Sequence, residues 1–151
     1  LSKKADYALL AMRHLAAHRD RGSVSTRELA DAYDIPAELL AKVLQRLARA
    51  RLLASHHGIR GGYKLARAAS SISVADVILA IDGPMTVTAC SEADHSCDQY
   101  AKCQIRNPLW RIKDRIVSAL AATSVAELAD DLSAPPPAAP AIPVSVVRKT
   151  R

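Results

Sequence analysis

Residues 25–55 read STRELADAYDIPAELLAKVLQRLARARLLAS, and the order of capping, apolar and turn residues in this stretch decides the fold. Ser25 stands three residues before Glu28, a capping-box pattern in which each side chain satisfies a backbone N–H that helix geometry leaves without a partner. It predicts a short helix over 26–33. Asp34 and Ile35 make the turn, and Pro36, whose fixed φ suits a first helical turn, opens a longer helix running to about Arg51. Leu29, Ala30, Ile35, Leu39, Leu40, Val43, Leu44 and Leu47 pack the two helices together, with Ala30 small enough for a close crossing. Two helices joined by so tight a turn are a helix-turn-helix, whose second helix enters a DNA major groove. Its outward face carries Lys42, Gln45, Arg46 and Arg49, with Glu38 near its start. Side chains from its N-terminal part reach base edges, while the later arginines touch phosphates.

The next residues, LLASHHGIRGGYKLAR over 52–67, hold two short strands, 52–56 and 62–65, around a loop containing Gly58, Gly61 and Gly62. A hairpin directly after a recognition helix is a wing. Arg60, flanked by glycines, is free to enter a minor groove, where negative potential favours a guanidinium. The paired glycines would also serve a plain tight turn. His56 and His57 lie on the wing within reach of phosphate.

Upstream, Tyr7, Leu10, Ala11, His14, Leu15 and Ala17 recur at three- and four-residue intervals and predict an amphipathic helix over 3–18, with Ser2 as its cap. His14 lies on the apolar side, the place of a packed histidine rather than a ligand. Downstream, SISVADVILAI predicts a short helix capped by Ser73, with Asp76 in its first turn and Gly83-Pro84 ending it. Pro108 opens a longer helix whose stripe of Leu109, Ile112, Ile116, Val117, Leu120 and Ala121 is broad enough to bury against a second copy. Ser124 and Glu127 repeat the capping-box spacing before a last short helix. The remaining SAPPPAAPAIPVSVVRKTR, with five prolines, predicts a disordered tail.

The chain therefore reads as mainly α with a small β-hairpin wing. A winged helix-turn-helix DNA-binding domain covers 1–67. A linker helix, a cysteine segment and dimerisation helices cover 68–132, and the tail covers 133–151. Charge follows the same division: residues 1–67 hold 13 Lys/Arg against 6 Asp/Glu, and residues 68–132 hold 5 against 9. Only the first part offers a concentrated basic face for a polyanion. With no Phe and one Trp, Trp110, the core must be Ala/Leu-rich, as closely packed helices require. No apolar run is long enough to span a bilayer and no apolar signal segment opens the chain, so the expectation is a cytoplasmic protein. No nucleophile constellation, phosphate-binding loop or pair of acids points to an enzyme.

Cys90, Cys97 and Cys103 are the only cysteines and fall within fourteen residues. In a reducing compartment, clustered thiols read as ligands or redox groups rather than structural disulfides. Three soft donors at this spacing suit an iron–sulfur cluster. Zinc, completed by His95, a direct thiol switch, and plain structural cysteines are the competing readings.

KADYALLAMRHLA over 4–16, the stretch quoted first, HHGIRGGYKLAR and SISVADVILAIDGP together resemble the family of bacterial winged-helix regulators that includes IscR and NsrR, over about residues 1–132. CSEADHSC with the third cysteine, Trp110 and SVAELADD is most similar to the subgroup regulating the SUF system of cluster assembly. The resemblance implies a homodimer on a double-stranded palindromic operator, controlling iron–sulfur assembly or iron and redox homeostasis. It also implies that Cys90, Cys97 and Cys103 hold a 2Fe–2S or 4Fe–4S cluster, which purification in air can remove. Members with a two-iron cluster use a His three residues after the last Cys; here Arg106 stands there, and a cation is a poor metal ligand. Members with a four-iron cluster can take an Asp from the N-terminal helix of the second subunit, and the matching residue is Asp6. His95 is the next candidate for the fourth ligand, ahead of Asp94 and Asp98. A zinc-stabilised regulator, a constitutive structural DNA-binding protein and a thiol-based redox switch are the alternatives.

Overall fold

Helix α1, Lys3–Ala17, begins where Ser2 Oγ accepts a hydrogen bond from the Ala5 N–H at 3.2 Å. The structure is a computed structural model that describes residues 1–59, 61–86 and 98–130, with Tyr100 described for its backbone only. The buried face of α1 is Ala5, Ala8, Ala11, Met12, Leu15 and Ala16. It is shifted from the expected stripe: Ala17 is exposed, and Tyr7 and Leu10 only border the core. The physical reason is that α1 packs against α3, α4 and α6 at once, and four of its six buried residues are alanines, small enough for close approach.

Ser25 caps α2, Thr26–Tyr33, by accepting from the Glu28 N–H at 3.1 Å. Asp34 takes the left-handed conformation at φ 51°, and the Ile35 N–H reaches back to the Ala30 carbonyl. Helix α3, Ala37–Arg49, follows with Leu40, Val43, Leu44 and Leu47 buried. Pro36 is the capping residue rather than part of the first turn. The helix also stops two residues short of the expected Arg51. Arg51 sits at φ 59° and donates its N–H to the Ala48 carbonyl, while the Leu52 N–H bonds the Leu47 carbonyl. This is the double-bonded left-handed ending that glycine normally supplies. An arginine there gave no stop signal.

Strands β1, Leu53–His56, and β2, Gly62–Leu65, pair antiparallel with Leu53 opposite Leu65 and His56 opposite Gly62. Val24 adds a bridge to Tyr63, through two backbone hydrogen bonds of 2.9 and 2.8 Å. Gly62 is required at that crossing, because a Cβ there would lie 2.3 Å from the Val24 carbonyl oxygen.

Helix α4, Val74–Asp82, carries a complete capping box between Ser73 and Asp76. Helix α5, Arg106–Ala122, starts two residues before the expected Pro108, which sits inside its first turn, where its missing N–H leaves no bond unmade. Helix α6, Val125–Asp130, follows the Ser124–Glu127 box. The Val125 N–H donates to the Ile72 carbonyl and the Val74 N–H to the Thr123 carbonyl, so the end of the described chain returns to the start of α4. Val125, Ile72, Val77 and Ile81 belong to the same hydrophobic cluster as the helix-turn-helix leucines. The architecture is thus mainly helical with a two-stranded wing. Residues 133–151 and Arg60 lie outside the described residues. Among the described residues no helix is long and apolar enough to cross a membrane.

Replacing Arg51 with glycine removes the steric cost of the left-handed conformation, roughly 1–2 kcal/mol before glycine's own entropy is set against it. Arg51→Gly is therefore expected to raise the thermal midpoint; an unchanged or lower midpoint contradicts the assignment. His14 hydrogen-bonds the Tyr33 hydroxyl at 3.1 Å and stacks on His18. Burial first, then the His18 charge, hold its imidazole below the usual 6.5. The unfolded chain therefore binds a proton that the folded chain resists, and stability falls as pH drops through 6.5 toward the lowered value. The denaturation midpoint is expected to fall between pH 7.5 and 5.5, and to fall less in His14→Gln; equal losses in both proteins would refute the role of His14.

Candidate nucleic-acid interface and cysteine segment

Helix α3 has one wholly buried face, and that burial fixes the direction of the other. Glu38, Lys42, Gln45 and Arg49 are all exposed. Their spacing of four, three and four residues puts them in one row. Arg46 is also exposed, on the flank of that row nearer α4. Its guanidinium donates to the Ile81 carbonyl at 3.1 Å, in the last turn of α4, where carbonyls lack helical partners. Sequence reading gave Arg46 a phosphate role only; the structure also makes it a strut between α3 and α4.

The wing follows α3 in the chain, and its first strand packs against that helix. The Gly61 N–H closes a turn on the Gly58 carbonyl at 2.9 Å, and Gly58 takes φ 117°. A Cβ on Gly61 would meet the His56 carbonyl oxygen at 2.6 Å, so the tight tip depends on that glycine. Ile59 is fully solvent-exposed beside it. At the base of the hairpin Arg67 pairs with Asp76 at 3.2 Å. His56 and His57 are exposed.

Of the cysteine segment, Cys90, His95, Asp94 and Cys97 lie outside the described residues. Cys103 is a free, half-buried thiol just after a short 3-10 turn, Tyr100–Lys102, three residues before α5. Asp98 and Asp6 are exposed, and Asp6 stands in the first turn of α1 with no ion pair among the described residues. Arg106 holds its guanidinium 5.8 Å from the centre of the Trp110 ring. The Trp110 indole nitrogen is buried without a hydrogen-bond partner among the described residues. Among the described residues no three His, Cys, Asp or Glu side chains gather as a metal site.

Two contacts were invisible to pattern reading. The Ser2 N–H donates to the Asp82 carboxylate at 2.9 Å, and the Ser2 hydroxyl donates to the same group. These bonds from Ser2 hold the Asp82 carboxyl below its ordinary range. The second is the placement of Lys4 beside Lys42 and Arg46. Both join residues far apart in sequence, for which neither periodicity nor spacing leaves a signal.

A helix-turn-helix with a wing and an exposed cationic row defines a winged-helix DNA-binding regulator. The chain belongs to the Rrf2 family, described as iron-dependent transcriptional regulators, which it matches over residues 1–131. The HTH-type transcriptional regulator IscR of Photorhabdus laumondii is 33% identical over 132 residues, covering 87% of this chain and 79% of that protein. Rv1287 of Mycobacterium tuberculosis, a candidate HTH-type transcriptional regulator, is 46% identical over 85 residues, 56% of this chain; the aligned part spans about half of that relative, 53%. Among solved structures, CymR, the global cysteine regulator of B. subtilis, superposes with a TM-score of 0.72 at 28% identity, covering 86% of this chain and 95% of that one. T. potens IscR gives 0.69 at 26%, covering 87% and 86%. The family description and the named IscR relative are of transcriptional regulators rather than enzymes.

Proposed function

We propose that the protein binds a palindromic operator as a homodimer and that an iron–sulfur cluster held by Cys90, Cys97 and Cys103 sets its affinity. The observation that carries the DNA reading is the exposed row of Glu38, Lys42, Gln45 and Arg49 on a helix whose opposite face is entirely core. Glu38, Lys42 and Gln45 address base edges, Arg46 and Arg49 address phosphates, and Arg60 on the wing addresses the minor groove. For the dimer, the support is α5: none of its residues is buried, and Ile112, Ile116 and Val117 are 47, 40 and 37% exposed. Apolar side chains lined up on a long surface helix are the usual substrate of a two-fold interface.

The donor set fits the cluster. Three thiols within fourteen residues are soft ligands, and Cys103 is free of any disulfide and within solvent reach. Asp6, exposed and without an ion pair among the described residues, is the preferred fourth ligand, given from a second subunit, and His95 the alternative. When bound, the cluster supplies a centre that responds to iron supply and oxidation. The chain's own part is to tie the segment after α4 to the start of α5, and through Asp6 to α1. Control of iron–sulfur assembly or iron and redox genes is the corresponding biological role. A thiol switch without metal is the second reading, favoured by the likeness to S. aureus CymR, which has been solved in an oxidised form (27% identity, TM-score 0.70).

Anaerobic purification of the full chain is expected to give a coloured protein with iron and acid-labile sulfide, both lost in Cys103→Ser. Asp6→Ala is expected to make that colour decay faster in air. Zinc without visible absorption would replace the cluster with zinc. A colourless, metal-free protein whose DNA binding responds to oxidation would establish the thiol switch instead.

A further inference from the structure

A cleft of about 160 Å³ lies between the first turn of α1, helix α3 and the end of α4, lined by Lys4, Leu39, Lys42, Val43, Arg46 and Ile81. We propose that Lys4, Lys42 and Arg46 form one seat for a backbone phosphate of the operator, so that α1 contributes a DNA contact from outside the helix-turn-helix. The inference rests on reading α3 as the DNA-facing helix and extends that face by one cation.

Four features of the seat support it. Three cationic side chains from two helices, Lys4 on one side and Lys42 and Arg46 on the other, converge on one cleft, whereas the recognition row alone spreads its charges along α3. The floor is apolar, with Val43 and Ile81 buried, and an apolar wall strengthens a charge–charge attraction relative to open water. None of the three cations is paired with a carboxylate: the ion pairs among the described residues are Arg67–Asp76 and Lys113–Asp114. Of the nearby acids, Asp82, whose charge Lys4 feels, already accepts two hydrogen bonds from Ser2, and Glu38, one turn from Lys42 on α3, makes no ion pair among the described residues. Lastly, Arg46 is pre-positioned. Its bond to the Ile81 carbonyl uses one of five guanidinium N–H groups, leaves the others for oxygen acceptors, and lowers the ordering cost of binding.

The position suits a backbone phosphate rather than a base. Lys42 belongs to both the exposed row and the cleft, so the cleft flanks the helix face that would enter the groove, where the sugar–phosphate strand runs. A contact of that kind adds affinity without sequence preference.

The test uses the full chain, a duplex that the wild-type protein selects from random sequence, and a scrambled duplex of equal length. Dissociation constants are measured over a salt series for wild type, Lys4→Ala, Lys4→Arg, Lys42→Ala and, as a control just beyond the far end of α1, Arg19→Ala. Matching thermal midpoints confirm that each variant is folded. Lys4→Ala is expected to weaken binding to both duplexes by the same factor, about three- to tenfold at low salt. It is also expected to lower the slope of log affinity against log salt by about 0.9, the release of one phosphate contact. Lys4→Arg is expected to restore the slope, and Arg19→Ala to leave it at the wild-type value. A wild-type slope in Lys4→Ala with a reduced slope in Lys42→Ala overturns the seat and leaves the α3 reading standing. Wild-type slopes in both overturn the α3 reading itself. Equal reductions in Lys4→Ala and Arg19→Ala make the effect one of net charge and also overturn the seat.

Discussion

Helix α1 must pack against three helices at once, and every other feature of the head depends on how it does so. Ala5, Ala8 and Ala11, all essentially inaccessible, keep bulk out of the contacts with α3, α4 and α6, while Met12 and Leu15 fill the space between them. Interiors are packed too densely for one methylene to go unnoticed, so larger residues at the alanines would push the neighbouring helices outward. Polar bonds fasten the same arrangement: Arg13 donates to the Leu128 carbonyl of α6, and the Ser73–Ser124 bridge ties the start of α4 to the start of α6. With α1 fixed on three sides, α3 is held with its cationic row outward and the wing is anchored through Val24 and Tyr63.

The last turn of α4 links this head to the cysteine segment. Ile81 receives Arg46 of α3 through its carbonyl, Asp82 receives Ser2 at the start of α1, and Gly83, at φ 81°, turns the chain away. Cys90 follows seven residues after Gly83. A displacement of that turn would act on the recognition helix through one bond and on α1 through another. Allosteric control needs two sites and an element with two arrangements joining them. This turn is joined to the cysteine segment by the chain itself and to α3 by one hydrogen bond, from Arg46 on the exposed side of that helix.

Much of the fold was legible because it is written in local signals. The capping boxes at Ser25, Ser73 and Ser124, the leucine periodicity of α3 and the glycines of the wing each act within a few residues, so their reading needs no tertiary knowledge. The misplacements share a cause. Arg51 ends α3 in a conformation glycine would have announced, and Pro108 sits inside α5 rather than at its first position. The buried face of α1 was misjudged toward Ala17 because three-sided packing selects small residues instead of a simple apolar stripe. The bonds of Arg46 to Ile81 and Ser2 to Asp82 join residues 35 and 80 positions apart, and only the folded chain brings them together. For the candidate site, residue types and the helix face were readable, whereas the place of Lys4 beside that face was not.

Whether the state of the cysteine centre sets DNA affinity is read by titrating one selected duplex with the iron-loaded and the metal-free protein at a single salt concentration. The two dissociation constants are expected to differ by at least tenfold, about 1.4 kcal/mol of coupling between the two sites. Equal affinities would contradict that coupling.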